Sequence, residues 1–287
     1  LVEVRRGVVV AVHRGKQVAV RRGNLANTLS PQSHIITMND ICHTLPGGNG
    51  MKYKAIIFDM DGTIVESEHL WIEASKAFLE KRGISISAEI EKELHHHMSG
   101  LGTKQASTIF KQIMLLDEPV HEIMQEKMSV ANALYEKKVR FVQGFTDFFT
   151  YAQQHNLNFA LATNANIETL QVTNKKLNLH QFFGEHMYTV DHVQQRAKPD
   201  PALYLHAADQ LNITPEYCIA IEDSAAGIAA AKQASMLCIG ITTSKNPAQT
   251  QAAHIKIDHY HEIDLPTLLY CQDLDHREYE VTKDEKE

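Results

Sequence analysis

A chain of 287 residues, 44% hydrophobic and 22% charged, has enough apolar sequence to bury one full α/β domain of about 150 residues and a smaller second one. Its net charge of -7 is unevenly placed: residues 1–50 carry six basic and two acidic side chains, the remainder 22 basic and 33 acidic, and so acidic a body argues against a nucleic-acid binder. No apolar run reaches about 18 residues, so no membrane-spanning helix is expected, and the scattered Cys42, Cys218, Cys238 and Cys271 read as free thiols of a reducing, cytoplasmic setting.

Residues 1–50 differ from the rest. VEVRRGVVVAVHRGKQVAVRRGN alternates apolar and basic residues around glycines and predicts a hairpin, which is marginal in water by itself. Asn24 to Gly50 is polar and ends in PGGNG, a linker composition. Met51 stands just before the first strong strand, so residues 1–50 are expected to lie outside the working domain. A transit peptide is the rival reading, weakened by the poor amphipathicity of VVVAV.

Ala55 to Phe58 is an apolar run rich in β-branched residues and predicts a buried strand. It stops at Asp59, and Asp61 follows two residues later, so both carboxylates can face one side of the strand's end before Gly62 breaks it. Helical periodicity then takes over. Leu70, Trp71, Ala74 and Phe78 mark one helix, with a stop at Lys81, Arg82 and Gly83. Ser87 caps a second from Ala88, the loop 99–103 (SGLGT) interrupts, and Ala106, Ile109, Phe110 and Ile113 mark a third. Pro119 opens a longer fourth helix through Val120, Met124, Met128, Ala131 and Tyr135. The run His95, His96 and His97 lacks metal-site spacing and is expected on a helix surface.

The chain returns to sheet-forming sequence near Gly144. Phe159 to Ala162 predicts a strand ending at Thr163 and Asn164, and His186 to Val190 predicts another. Thr163 can donate its hydroxyl to an anion or simply cap a helix. In AKPDPALY, Asp200 and Pro201 open a helix, and Lys198 precedes them as either a charge-neutralising group or a surface lysine. Cys218 to Ile221 is a strand ending in Glu222 and Asp223, followed by the small-residue helix SAAGIAAAKQA, in which Gly227 permits close packing. Those two acids could favour the helix N-terminus or, as hard oxygen donors, hold a divalent cation. Met236 to Ile241 and Ile255 to Ile257 complete the strands, and a charged tail follows Tyr270.

FDMDGT, Thr163, Lys198 in AKPDP and the pair Glu222–Asp223, in this order and each after an apolar run, resemble the four motifs of the haloacid-dehalogenase-like superfamily. The resemblance covers residues 51 to about 270. It implies an α/β fold with a Rossmann-like parallel sheet core over 51–66 and 144–272, an inserted all-helical cap over 67–143, and a charged tail over 273–287. It also implies a two-step phosphoryl transfer. Asp59 is then the nucleophile and Asp61 the general acid and base, while Thr163, Asn164 and Lys198 cradle the phosphoryl oxygens. Magnesium (Mg2+) is held by Asp59, the Asp61 main-chain carbonyl and Asp223, with Glu222 directly or through water. No organic cofactor is needed.

Asp61 suits phosphate esters, whose alcohol leaving group needs a proton. Within the superfamily, the insertion of helices directly after DGT resembles the branch of β-phosphoglucomutase and the phosphosugar phosphatases. The mutase carries a histidine where this chain has Trp71, and ESEHLW is similar to the DSExxW run of the phosphatases, with Glu66 in place of the usual Asp. The expected activity is therefore hydrolysis of a small phosphosugar, the alternatives being a phosphomutase or a non-catalytic phosphometabolite-binding protein. Location alone makes Glu68, Trp71, Gly100 and Lys104 the candidate substrate contacts from the cap.

Overall fold

The computed structural model describes residues 2–5, 8–13, 16–21, 51–98, 101–243 and 246–270. Among the first 50, β1 (Val2–Arg5), β2 (Val8–His13) and β3 (Lys16–Arg21) pair antiparallel as a three-stranded sheet, one strand more than the expected hairpin. The linker reading of 24–50, the charged tail, Cys42, Cys271 and the candidate contact Gly100 fall outside the described residues.

The main sheet has six strands: β4 (Ala55–Phe58), β5 (Asn158–Thr163), β6 (Met187–Thr189), β7 (Cys218–Glu222), β8 (Leu237–Ile241) and β9 (Ile255–Ile257). Their order is β6-β5-β4-β7-β8-β9, with every neighbouring pair parallel. β4 is apolar throughout because both its faces are covered. Ile56 and Phe58 face a cluster holding Phe145, Phe148, Phe149 and Phe183, whereas Ala55 and Ile57 face small residues that include Ala207, Ala230 and Ala231. Burying each large side chain in these layers contributes about 1.5–3 kcal/mol. Aromatic bulk on one face and alanine on the other set how closely the covering helices approach.

The helical insert comprises α1 (Glu68–Glu80), α2 (Ala88–Met98), α3 (Thr103–Met114) and α4 (Val120–Lys138). It carries a core of its own in Phe78, Leu79, Leu94, Phe110, Leu116 and Ile123. Arg82 stacks on the Phe78 ring at 3.6 Å and pairs with Glu118 and Glu126, each at 2.7 Å, which locks α1 to the start of α4. The insert joins the sheet domain through two connections that run side by side. Val65 bridges Phe141, Glu66 N–H donates to the Arg140 carbonyl at 2.9 Å, and Val142 N–H donates to the Ile64 carbonyl at 2.9 Å. This is the α/β sheet with an all-helical cap that the sequence predicts.

The later helices are α5 (Phe145–Gln153), α6 (Ile167–Leu177), α7 (His180–Phe183), α8 (Ala202–Gln210), α9 (Ala225–Gln233) and α10 (Leu265–Tyr270). The sequence reading assigned neither α5 nor α6. α6 is largely polar along its length, and its start is fixed by the Asn166 side chain accepting from Thr169 N–H at 3.0 Å. α4 rests on α6, where the Thr169 hydroxyl donates to Asn132 at 2.9 Å, so the cap is seated on the sheet domain and not only tethered to it. His97 is exposed on α2, the side chains of His95 and His96 fall outside those described, and Cys218 and Cys238 are buried free thiols.

Candidate active site

Parallel pairing places the chemistry-bearing residues at the carboxyl ends of three central strands. Leu161 and Ile221 both lie level with Phe58, so Asp59, Thr163 and the Glu222–Asp223 pair emerge together. Open α/β sheets bind ligands in that position. Asp59 N–H continues the ladder to the Ile221 carbonyl at 3.0 Å, which holds the carboxylate at the sheet's rim, 7% exposed.

Two glycines permit the close approach. Gly62 has φ +84, and a Cβ there would lie 2.0 Å from Asp223 Oδ2, so both backbone angle and space demand glycine. Gly227, in the first turn of α9, faces Glu222: an added Cβ would stand 1.7 Å from Oε1. Glu222 cannot simply swing away. Its Oε2 accepts from the N–H groups of Asp223 and Ser224 at 3.1 Å each and from the Ser224 hydroxyl at 2.9 Å. Gly227→Ala, although favourable by helix propensity, is therefore expected to lower unfolding stability by about 1–3 kcal/mol. Urea denaturation of the purified variant measures this, and a gain in stability would contradict the packing described.

Lys198 enters from the loop before α8 and is 2% exposed. Its ammonium donates to Asp59 Oδ1 and Glu222 Oε1, each at 2.6 Å. Tyr204, in the first turn of α8, donates its hydroxyl to the same Glu222 oxygen at 3.0 Å. Burial would pull the Lys198 pKa down, but the Asp59 and Glu222 charges outweigh it and hold it above the ordinary lysine value. For Asp59 burial prevails. Burial raises it, Lys198 opposes, and the nearby Glu222 and Asp61 charges add to the rise. Asp223 is raised well above a normal carboxyl by burial and then by Asp59 and Glu222.

One oxygen from each of Asp59, Glu222 and Asp223 lies within 4.8 Å of the others. Three buried carboxylates facing one ammonium leave uncompensated negative charge, and hard oxygen donors at this spacing suit a small divalent cation. Both Glu222 oxygens are already engaged, so of the two routes considered for it, contact through water disturbs fewer hydrogen bonds. The Asp61 carboxylate is not in this group. The expectation for Asp61 as a metal ligand concerned its main-chain carbonyl.

The Asp61 side chain is held from the cap. The Tyr135 hydroxyl, on the last cap helix, donates to Asp61 Oδ1, and Trp71 Nε1 donates to the Tyr135 oxygen at 3.0 Å. Desolvation raises the Asp61 pKa, against the hydrogen bonds from Tyr135 and Ser67 and the Lys198 charge. The net shift is upward, toward the protonated form. Tyr135 was read from sequence only as part of an apolar helical stripe, and its phenol is what that pattern conceals.

The remaining expected residues fall as follows. Thr163 is buried on the cleft wall, its oxygen accepting from Ala165 N–H at 3.0 Å, which leaves the hydroxyl proton to donate. Asn164 also lines the cleft, but its side-chain oxygen accepts from Lys198 N–H at 2.8 Å, so it braces the lysine's loop against β5. Glu68 and Trp71 lie on the wall. Lys104 does not: it is exposed on α3, and Thr103 faces the cleft instead. The cleft measures about 460 Å³ and runs from the strand ends into the cap, a size suited to a small metabolite.

Among known proteins, the family described as haloacid dehalogenase-like hydrolase matches residues 56–241. The phosphorylated carbohydrates phosphatase of Thermotoga maritima is 26% identical over 67% of this chain and 87% of its own length. The 6-phosphogluconate phosphatase of Escherichia coli is 26% identical over 64% of this chain and 80% of its own. A haloacid dehalogenase family hydrolase of Deinococcus radiodurans, solved with bound phosphate and sodium, superposes with a TM-score of 0.59 at 26% identity, covering 74% of this chain and 93% of that one.

Proposed function

Because the chain belongs to the haloacid dehalogenase-like hydrolase family, we propose that it is a magnesium-dependent phosphatase of a small phosphorylated sugar, working through an aspartyl phosphate. The observation that carries this reading is the Asp59–Lys198–Glu222 cluster at the strand ends, with Asp61 two residues from the nucleophile and hydrogen-bonded from the cap. The names of the relatives at 26% identity supply the substrate class.

In the first step an Asp59 oxygen forms a bond to phosphorus as the ester oxygen leaves, and the Asp61 carboxyl gives that oxygen its proton. In the second, Asp61, now a carboxylate, takes a proton from water as the water oxygen attacks phosphorus, and Asp59 is released with free phosphate. Lys198 balances the charge of the nucleophile, and Thr163 donates to a phosphoryl oxygen. Magnesium would be held by Asp59, Asp223 and the Asp61 main-chain carbonyl, with Glu222 through water, and would neutralise the charge that builds on the phosphoryl group. Residues 67–143 cover the site, so the cap excludes bulk water while Asp59 attacks.

The test is release of inorganic phosphate from a panel of phosphosugars and p-nitrophenyl phosphate, with magnesium and after chelation with EDTA. Hydrolysis that stops on chelation and returns with magnesium supports the reading. Interconversion of sugar 1- and 6-phosphates without release, or full activity in EDTA, would overturn it.

A further inference from the structure

The cleft wall carries a buried cation that the chemistry at Asp59 does not use. Lys127 lies on α4, is 4% exposed and forms part of the cleft wall. Among the described residues its ammonium makes no ion pair and no hydrogen bond and lies over the Phe110 ring, 3.8 Å from the centroid. Burial alone pulls its pKa down to about 8. An aromatic face compensates only part of what an ammonium loses on leaving water. Two carboxylates that share the wall are engaged elsewhere: Glu91 pairs with Lys76 at 2.7 Å and Glu66 with Arg140 at 2.6 Å. Leu94 and Met98 lie on the same wall.

Its position relative to the reacting centre follows from the helix. Lys127 precedes Tyr135 on α4 by eight residues, about 12 Å of axial rise and a little over two turns. Tyr135 touches Asp61, which in the proposed mechanism protonates the leaving oxygen. Asp61 and Lys127 line the same cleft, so a molecule whose ester oxygen sits at Asp61 shares that chamber with the Lys127 ammonium.

We propose that Lys127 binds a second anionic group, a carboxylate or a phosphate, at the far end of the phosphorylated sugar whose first phosphate is cleaved at Asp59. This rests on the phosphatase reading above and sharpens its substrate class to sugar phosphates carrying two anionic ends. The ammonium then gains its missing counter-charge when substrate enters, and phosphosugars with a neutral tail leave it buried without one.

The decisive comparison is kcat/KM for aldonic acid phosphates and sugar bisphosphates against neutral aldose and alditol phosphates, in the full chain and in Lys127→Met, which keeps the stem and removes the charge. In the full chain the doubly anionic substrates are expected to be preferred. In Lys127→Met that preference is expected to fall about 100-fold, mainly through KM, and Lys127→Arg is expected to restore part of it. Comparing the aldonic and bisphosphate arms identifies which anion is bound. An unchanged ratio in Lys127→Met, or a preference of the full chain for neutral tails, overturns the proposal; the second result needs no variant to fold. If p-nitrophenyl phosphate and every phosphosugar go unhydrolysed, the phosphatase reading itself has failed. Calorimetric titration of Asp59→Asn with a sugar bisphosphate, with and without Lys127→Met, still reads the Lys127 site in that case: equal affinity in the two proteins overturns it.

Discussion

Asp59→Asn is expected to reduce phosphate release by at least about 10³-fold while leaving the fold in place. The amide matches the carboxylate in shape but is a poor nucleophile toward phosphorus, and removal of a nucleophile removes the covalent route as a whole. The fold should survive because Lys198 keeps Glu222 at 2.6 Å and the substitution removes one of three mutually repelling acids. Phosphate release under saturating magnesium measures the first effect and circular dichroism the second. Residual hydrolysis within tenfold of the unaltered protein would show that the attacking oxygen belongs to another group.

Lys198→Met should act most strongly on stability. Among the described residues the lysine is the only cation paired with Asp59 or Glu222, and both acids are buried. Removing one partner of a buried ion pair leaves charge without compensation and costs about 3–5 kcal/mol. Urea unfolding in EDTA is expected to show a loss of that order, and added magnesium is expected to recover part of it, because a divalent ion would supply charge to the same carboxylates. A midpoint unchanged in EDTA would mean that the two acids are neutral in the folded chain and that Lys198 holds nothing together.

The strand ends were legible in the sequence because a parallel sheet covered on both faces leaves short apolar runs, and a carboxylate at the end of such a run has little reason to be there unless it faces a pocket. Asp59, Glu222 and Asp223 stand out that way, Thr163 gains its role only from the resemblance to the four motifs, and the register β5-β4-β7 brings all four level. The partnerships were not legible. Glu222 reads as a metal ligand by position, yet Lys198, Tyr204 and Ser224 engage both its oxygens, an arrangement that depends on the missing side chain of Gly227. Lys104 was chosen by location, and the turn of α3 points it outward and Thr103 inward. Tyr135 and Lys127 escaped because both fall within the helical repeat of α4, where periodicity reports which face is covered and says nothing of what a polar tip touches across the cleft. α6 escaped for the opposite reason: it packs against α4 rather than presenting an apolar stripe of its own.

The phenol that reaches Asp61 is carried by α4, a helix of the cap, whereas Asp61 belongs to the sheet. Any movement that lifts α4 off α6 takes the hydroxyl with it, and Trp71, which steadies that hydroxyl, departs on α1 at the same time. On the proposed mechanism, the carboxyl that protonates the leaving oxygen is fixed in position from the cap, so opening the chamber would leave that acid free to turn away from the ester it serves.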